Sequence, residues 1–548
     1  MQAVERVAKD EARFFEYRGR KCPCCGKKLR YSHQTSGRTI RRLPGPIAVK
    51  SQTVYCRNRK CGLRKKILHP PEEWLLAVRG RHLGNDVMAK IGRLRYMWDL
   101  TREEVQKVLL EDDGFAVSER EVEYAYEWYG QLVSGAVLKD GKLLAELKRQ
   151  GGVVLSLDGA EPMKGHEQVW LVRDALSGRT LRAEALRSTT AADLKKLLMP
   201  IRDFLRQHGL KIIAVLSDAE KNIRKAVRGV FPGVPHQLCN LHYVQNLAEP
   251  LEKFDGKLRR GLRKPFTKLR QLEREIQKPV KDRSERSRQA SAVLLKFCKA
   301  IQSILKDVGK PPFEPPGLRL YERLVELRAQ LRQMAKTSDH ACVAAMLDLL
   351  SVVDRYRADA DWIGVFYDDV RQVGTILFAA GRTLKDAKKM LRELRDEWKD
   401  ELGRYQQADI DQRACGVLKS WGTTTKTYEP GLFHAFADPR IPKTNNDHER
   451  VNKQLKSLER RISRSPRPGR RFTRNAPLNA VFVNMKVPPG EAFIARRRPE
   501  ELRLAKILLQ ARMQSNGIAQ KARRDFKAMM LHVMAVEALK PETGTAVS

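Results

Sequence analysis

Acidic residues are the scarce class in this chain, and they are unevenly spread. The 548 residues hold 65 Asp+Glu against 106 Lys+Arg, a formal net charge of +41, and between Tyr17 and Pro71 there is no acid at all. A bias of that size attracts polyanions over the whole surface, which makes nucleic acid the expected partner. Long apolar runs are missing too: none approaches the roughly 20 residues a membrane-spanning helix requires. The opening MQAVERVAKDEARFF is too charged for a signal peptide, so the expectation is a cytoplasmic, nucleoid-associated protein with no membrane partner. Cysteines number only 9, and five of them crowd at Cys22, Cys24, Cys25, Cys56 and Cys61. That layout points to a metal site, not to a disulfide framework. What the chain does have is length and 42% hydrophobic residues, enough for three or four domains with a core each.

KCPCCGKKL sets Cys22 and Cys25 in a Cys-x-x-Cys turn, and YCRNRKCGL puts Cys56 and Cys61 in a second, looser loop. Four thiolates so spaced can close a tetrahedron around Zn2+, and Gly26 after the first pair lets backbone amides turn toward the sulfurs, as in zinc ribbons. Cys24 is left over, and His33 is an alternative ligand. Lys27, Lys28, Arg30, Arg38, Arg41, Arg42, Arg57, Arg59, Lys60, Arg64, Lys65 and Lys66 make this module one-signed, and it is expected to hold DNA phosphates.

From Asn85 to Tyr129 three short helices are expected. An amphipathic stretch from Asn85 to Met97 precedes two capping boxes, Thr101 with Glu104 and Ser118 with Glu121, and Gly114 supplies the turn between them. This is a helix-turn-helix pattern. The last helix nevertheless carries Glu119, Glu121, Glu123 and Glu127 against Arg120 alone. Acids repel phosphates, so a packing or dimerisation module is an equal reading.

GGVVLSLDGA reads as a short apolar strand ending in Asp158, and KIIAVLSDAE as another ending in Asp218. Between them lie a hairpin, QVWLVRDALSGRTLRAEAL, turning at Ser177-Gly178, and the helical ADLKKLLMPIRDFLRQHG. The helical AEKNIRKAVRGVF and the short strand HQLC follow. This is the element order of a ribonuclease-H-like (retroviral-integrase-like) sheet, with Asp158 and Asp218 on neighbouring strand ends. The chemistry of such a pair is specific: attack on a phosphodiester is assisted by two divalent ions about 4 Å apart. Mg2+ (or Mn2+) prefers carboxylate oxygens, so a third acid is needed. Glu449 is the best candidate, in PKTNNDHERVNKQLKSLERRI, where Thr444-Asn445-Asn446 opens a helix. A lone strand-end Asp is more often a turn cap, and Glu161, Asp174 and Asp447 remain rivals.

Three features together give a family likeness: Asp158, Asp218 followed by Cys239-Asn240-Leu241-His242, and the T-N-N-x-x-E-R run from Thr444 to Arg450. They resemble the DDE transposases with a ribonuclease-H-like core, in particular the Mutator-like and related bacterial insertion-sequence groups. The likeness is close over about Gly151 to Leu247 and Ile441 to Arg474. It implies metal-dependent cleavage and strand transfer at transposon ends by Asp158, Asp218 and Glu449, with Cys239 and His242 in a supporting role. It implies double-stranded DNA as partner, both transposon ends and target, and at least a homodimer, because two ends must meet. A helical insertion before the last acid also fits: Asp218 and Glu449 are 231 positions apart, too far for a loop, and Glu249 to Ala435 has helical periodicity. Trp362, Trp398 and Trp421 there are candidates to stack on an unpaired base, with core packing the alternative.

The organisation so read is a multi-domain α/β protein. A zinc ribbon (1–75) and helix-turn-helix-like helices (80–135) precede the first part of the catalytic core (150–248). An all-helical insertion (249–440), the last part of the core (441–475) and a C-terminal helical region (476–548) follow. Arg460, Arg461, Arg464, Arg467, Arg470, Arg471 and Arg474, in a Pro/Gly-broken stretch, suggest a flexible basic strap over DNA. Two other functions fit parts of the pattern. One is a non-catalytic DNA-binding regulator derived from a transposase, against which the presence of all three acids speaks. The other is a structure-selective nuclease on the same fold, which would cut without joining.

Overall fold

The computed structural model describes residues 12–64, 66–70, 72–73, 76–77, 81–134, 141–161, 167–278, 285–337, 340–408, 411–463 and 469–486. Of the residues singled out above, Lys65, Arg464, Arg467 and everything from 487 onward lie outside this set. The protein is mixed α/β and mostly helical, and it divides into two compact units: residues 1–215, 220–234 and 446–548, and residues 216–219 and 235–445.

The first unit begins with a small sheet of β1 (Arg13–Phe15), β2 (Arg30–Gln34), β3 (Arg38–Ile40), β4 (Ile47–Tyr55) and β5 (Ile67–Leu68). The β-branched β4, IAVKSQTVY, is its spine, parallel to β1 and antiparallel to β2, β3 and β5. Three helices follow, α1 (Asn85–Tyr96), α2 (Arg102–Asp113) and α3 (Glu119–Ser134), in the expected places. Both capping boxes form: Thr101 Oγ1 accepts from the Glu104 amide at 3.3 Å, and Ser118 Oγ from the Glu121 amide at 3.2 Å. Each such cap stabilises by about 1 kcal/mol. Three of the four acids of α3 are paired inside the unit. Glu121 pairs with Arg41 at 2.8 Å, and Glu119 and Glu123 pair with Arg102 at 3.3 and 2.8 Å.

After α4 (Gly141–Arg149) come β6 (Val153–Ala160), β7 (Gln168–Asp174), β8 (Thr180–Leu186), α5 (Ala191–Gln207), β9 (Ile212–Ser217), α6 (Lys221–Val230) and β10 (His236–Leu238). The strands form one sheet in the order β10-β9-β6-β7-β8. Val153 to Leu157 are all buried, which suits a strand covered on both faces. Gly152, at φ 144°, permits the close approach there: a Cβ would stand 2.8 Å from the Lys211 carbonyl, which accepts the Val153 amide at 2.9 Å. β6 does not end at Asp158 as its apolar run suggested. Asp158, Gly159 and Ala160 still pair with Leu171, Trp170 and Val169 of β7, so the hairpin partner carries the strand two residues further.

The second unit is helical: α7 (Asn240–Arg263), α8 (Leu269–Gln277), α9 (Glu285–Lys306), α10 (Pro316–Ala335), α11 (Ala341–Leu350), α12 (Val352–Arg355), α13 (Arg357–Phe378), α14 (Leu384–Ala408), α15 (Gln412–Tyr428) and α16 (His434–Ala437). The boundary expected after residue 248 falls inside α7. One buried stripe of Val244, Leu247, Leu251, Leu258 and Leu262 carries that helix through Pro250, outweighing the hydrogen bond the proline forfeits. Trp398 and Trp421 are core residues, 4% and 0% exposed. Their indole N–H groups donate to Asp369 at 2.9 Å and to the Leu247 carbonyl at 2.6 Å, so neither offers a face to a base. Trp362 lies under the Arg413 guanidinium, 4.7 Å from its ring centre.

The chain then returns to the first unit through α17 (Asn446–Ser463), α18 (Gly469–Arg474) and α19 (Leu478–Lys486). Arg460 and Arg461 are helical, and Arg461 pairs with Glu104 at 3.3 Å. These two belong to α17, which runs on to Ser463, and not to a flexible strap. No described helix is long and apolar enough to cross a membrane.

Candidate functional site

Four cysteines converge at the N-terminal module. Cys22 and Cys61 sulfurs stand 3.7 Å apart, as do those of Cys25 and Cys56, and all four lie within 4.8 Å of one another. Zinc–sulfur bonds of about 2.3 Å give a tetrahedron with edges of roughly 3.8 Å, so this donor set fits zinc. The Leu63 amide donates to Cys61 at 3.4 Å. The Asn58 side chain, with the Lys27 backbone, lowers the Cys25 thiol to about 6, favouring the thiolate that binds metal. The rival ligands stay out: Cys24 is exposed, and His33 bonds Ser32 and Thr53. Of the basic residues around the cluster, Arg41 and Arg42 are engaged with Glu121 and Asp86.

In the first unit, α17 is fastened to the β6–β7 hairpin by three side chains close in sequence. Asp447 pairs with Arg173 of β7 at 2.9 Å. His448, 1% exposed, bonds Ser156 Oγ at 2.7 Å through Nδ1. Asn452, 6% exposed, donates from Nδ2 to Asp158 Oδ2 at 2.7 Å. Burial, reinforced by the Arg173 charge, holds the His448 pKa well below its ordinary value, so the imidazole is neutral. Glu449 is half-buried and stands three residues before Asn452, hence on the same side of the helix as the amide that touches Asp158. The rivals have other duties. Asp447 answers a guanidinium that is 5% exposed. Asp174 accepts the Val154 amide at 3.1 Å and the Ser177 amide at 3.0 Å, a turn cap, and Glu161 is exposed.

Ser156, Arg173, His448 and Asn452 were not among the residues expected from the sequence. The signal for two of them was there: His448 and Asn452 share the buried stripe of α17 with Leu455, at the i, i+4, i+7 spacing where apolar residues belong.

In the second unit, Asp218 directly follows β9. His242 Nδ1 approaches its Oδ1 to 2.7 Å, and Cys239, fully buried at the start of α7, brings its sulfur within 4.8 Å of both. The Cys-x-x-His step thus sets both side chains beside the aspartate. Burial works against charge on His242, but Asp218 and Cys239 outweigh it and raise the imidazole to about 11. Cys239 also accepts the Asn445 amide at 3.3 Å, and the Lys443 carbonyl accepts the Asn240 amide at 2.9 Å. These bonds tie the approach to α17 to the start of α7.

Residues 195–304 match the model of the Mutator family of transposases. That segment takes in Asp218, Cys239 and His242 and leaves Asp158 and Glu449 outside. The Mutator-family match bears out the resemblance that the motifs carried, at the level of the transposase family. No curated protein matches the chain.

Proposed function

We propose that this chain is a DDE transposase, in which Asp158, Asp218 and Glu449 hold two Mg2+ (or Mn2+) ions for cleavage and strand transfer at transposon ends. The observation that carries the reading is the fastening of α17. The helix is bound to the strand of Asp158 by Asn452 and His448, and Glu449 rides on the Asn452 side while Asp447 is consumed by Arg173. The Mutator-family match and the strand order β10-β9-β6-β7-β8, which is that of a ribonuclease-H-like core, support it.

In this reading bound ions activate the attacking hydroxyl and stabilise the departing oxygen. The protein's part is to aim carboxylates. Asn452 holds one Asp158 oxygen, while the buried Ser156–His448 pair and the Arg173–Asp447 ion pair stop α17 from sliding. Lys27, Lys28, Arg30, Arg59, Lys60, Arg64 and Lys66 of the cysteine module supply phosphate contacts. With three acids of α3 spent internally, α1–α3 serve as a packing element that carries this module. Two transposon ends require two copies, so the working form is at least a dimer on DNA.

The test is metal-dependent cleavage and joining of DNA carrying the terminal sequences that flank the gene. The reading requires joined product from the intact protein, and from Asp158→Asn none, with DNA binding kept. Cut ends that are never joined would favour a nuclease, and binding without any cutting a regulator.

A further inference from the structure

The environment of Asp218 holds softer donors than Mg2+ uses. Mg2+ takes hard oxygen donors and keeps much of its water, whereas Asp218 is accompanied by a sulfur and an imidazole nitrogen. The three candidate donor atoms lie within 4.8 Å of one another. Their rigidity is built in: Cys239 is 0% exposed and caps α7, His242 follows one turn later on the same helix, and Asp218 closes β9. His242 Nδ1 stands 2.7 Å from Asp218 Oδ1. Sulfur, nitrogen and carboxylate oxygen from one short stretch is a donor set for zinc-class ions, and three protein ligands leave a fourth position open, as in catalytic and not structural zinc sites.

We propose that Asp218, Cys239 and His242 form a second site for a zinc-class divalent ion, separate from the four-cysteine cluster. The proposal stands on these ligands alone and does not depend on Asp218 being catalytic. If Asp218 is also catalytic, Zn2+ bound here would compete with Mg2+ for its carboxylate.

The experiment is zinc content per chain, measured by elemental analysis on the full-length protein equilibrated with micromolar Zn2+ in millimolar Mg2+. The wild type is compared with Cys239→Ser, His242→Ala and Cys56→Ser. His242 is partly exposed, so His242→Ala keeps the test valid if the buried Cys239→Ser misfolds, and thermal melting checks both. The expected result is one zinc fewer in each of Cys239→Ser and His242→Ala than in wild type, with the cluster's zinc lost only in Cys56→Ser. A weaker sulfur-to-metal charge-transfer band in Co2+-loaded Cys239→Ser, with the cluster's own band kept, would agree. An unchanged zinc count in a folded His242→Ala overturns the proposal. DNA cleavage is not part of the readout, so a failed transposase reading leaves this result interpretable.

Discussion

Asp158 and Asp218 look alike in the sequence, each near the end of an apolar strand, yet their surroundings differ. Asp158 is held by a neutral amide from α17, the helix that also bears Glu449. Asp218 is held by an imidazole, with a thiol beside it, from a helix that starts 22 positions later. A neutral donor fixes a carboxylate without competing with a cation, whereas a basic imidazole is itself a cation or a ligand. The two aspartates therefore stand in different surroundings, one beside a neutral amide and the other beside an imidazole and a thiol.

The largest effect expected from this comparison is common to both. Asp158→Asn or Asp218→Asn should lower cleavage and joining by roughly a thousandfold, about 4 kcal/mol of barrier, with DNA affinity by mobility shift unchanged. Loss from only one of the two would mean that the other is structural.

The next effect should separate them. Asn452→Ala is expected to lower activity about 10- to 100-fold and to raise the Mg2+ concentration needed for half-maximal rate, because a ligand loses its orienting partner. A drop in stability with no change in metal dependence would reduce Asn452 to packing.

Smaller still, Asp447→Ala should cost about 1–3 kcal/mol of stability by denaturant unfolding, since it leaves the buried Arg173 guanidinium without its acid. Activity per folded molecule should persist.

The smallest is a pH dependence. His448 has a folded-state pKa below its unfolded one, so its contribution to stability is full above the ordinary histidine value near 6.5 and is lost as pH falls below it. The unfolded chain then binds a proton that the native state refuses. The slope from this group is at most about 1.4 kcal/mol per pH unit. His448→Gln should flatten the stability curve there; an unchanged slope would show that His448 protonates in place.

Much of this was legible in the sequence, and for identifiable reasons. Capping boxes, strand–hairpin–helix order and paired cysteines are local signals, and α1–α3, β6–β10 and the Cys22, Cys25, Cys56, Cys61 cluster appear where such signals put them. What could not be read was pairing over nearly 300 residues. Arg173 meets Asp447, Ser156 meets His448, and Asp158 meets Asn452 only once α17 lies on the β6–β7 hairpin. The same limit left Asp447 and Asp174 as open rivals, since a buried partner, not a motif, gives each its duty. Three of the four acids of α3, whose partners no local pattern shows, are answered by Arg41 and Arg102.

The central claim is that α17 delivers Glu449, and not its neighbour Asp447, to the metal-binding carboxylates. The most direct test compares Glu449→Gln with Asp447→Asn in Mg2+-dependent cleavage and joining of the terminal DNA, alongside wild type. The account predicts that Glu449→Gln abolishes joined product while keeping DNA binding, and that Asp447→Asn retains it. Activity that survives in Glu449→Gln and vanishes in a folded Asp447→Asn would contradict it.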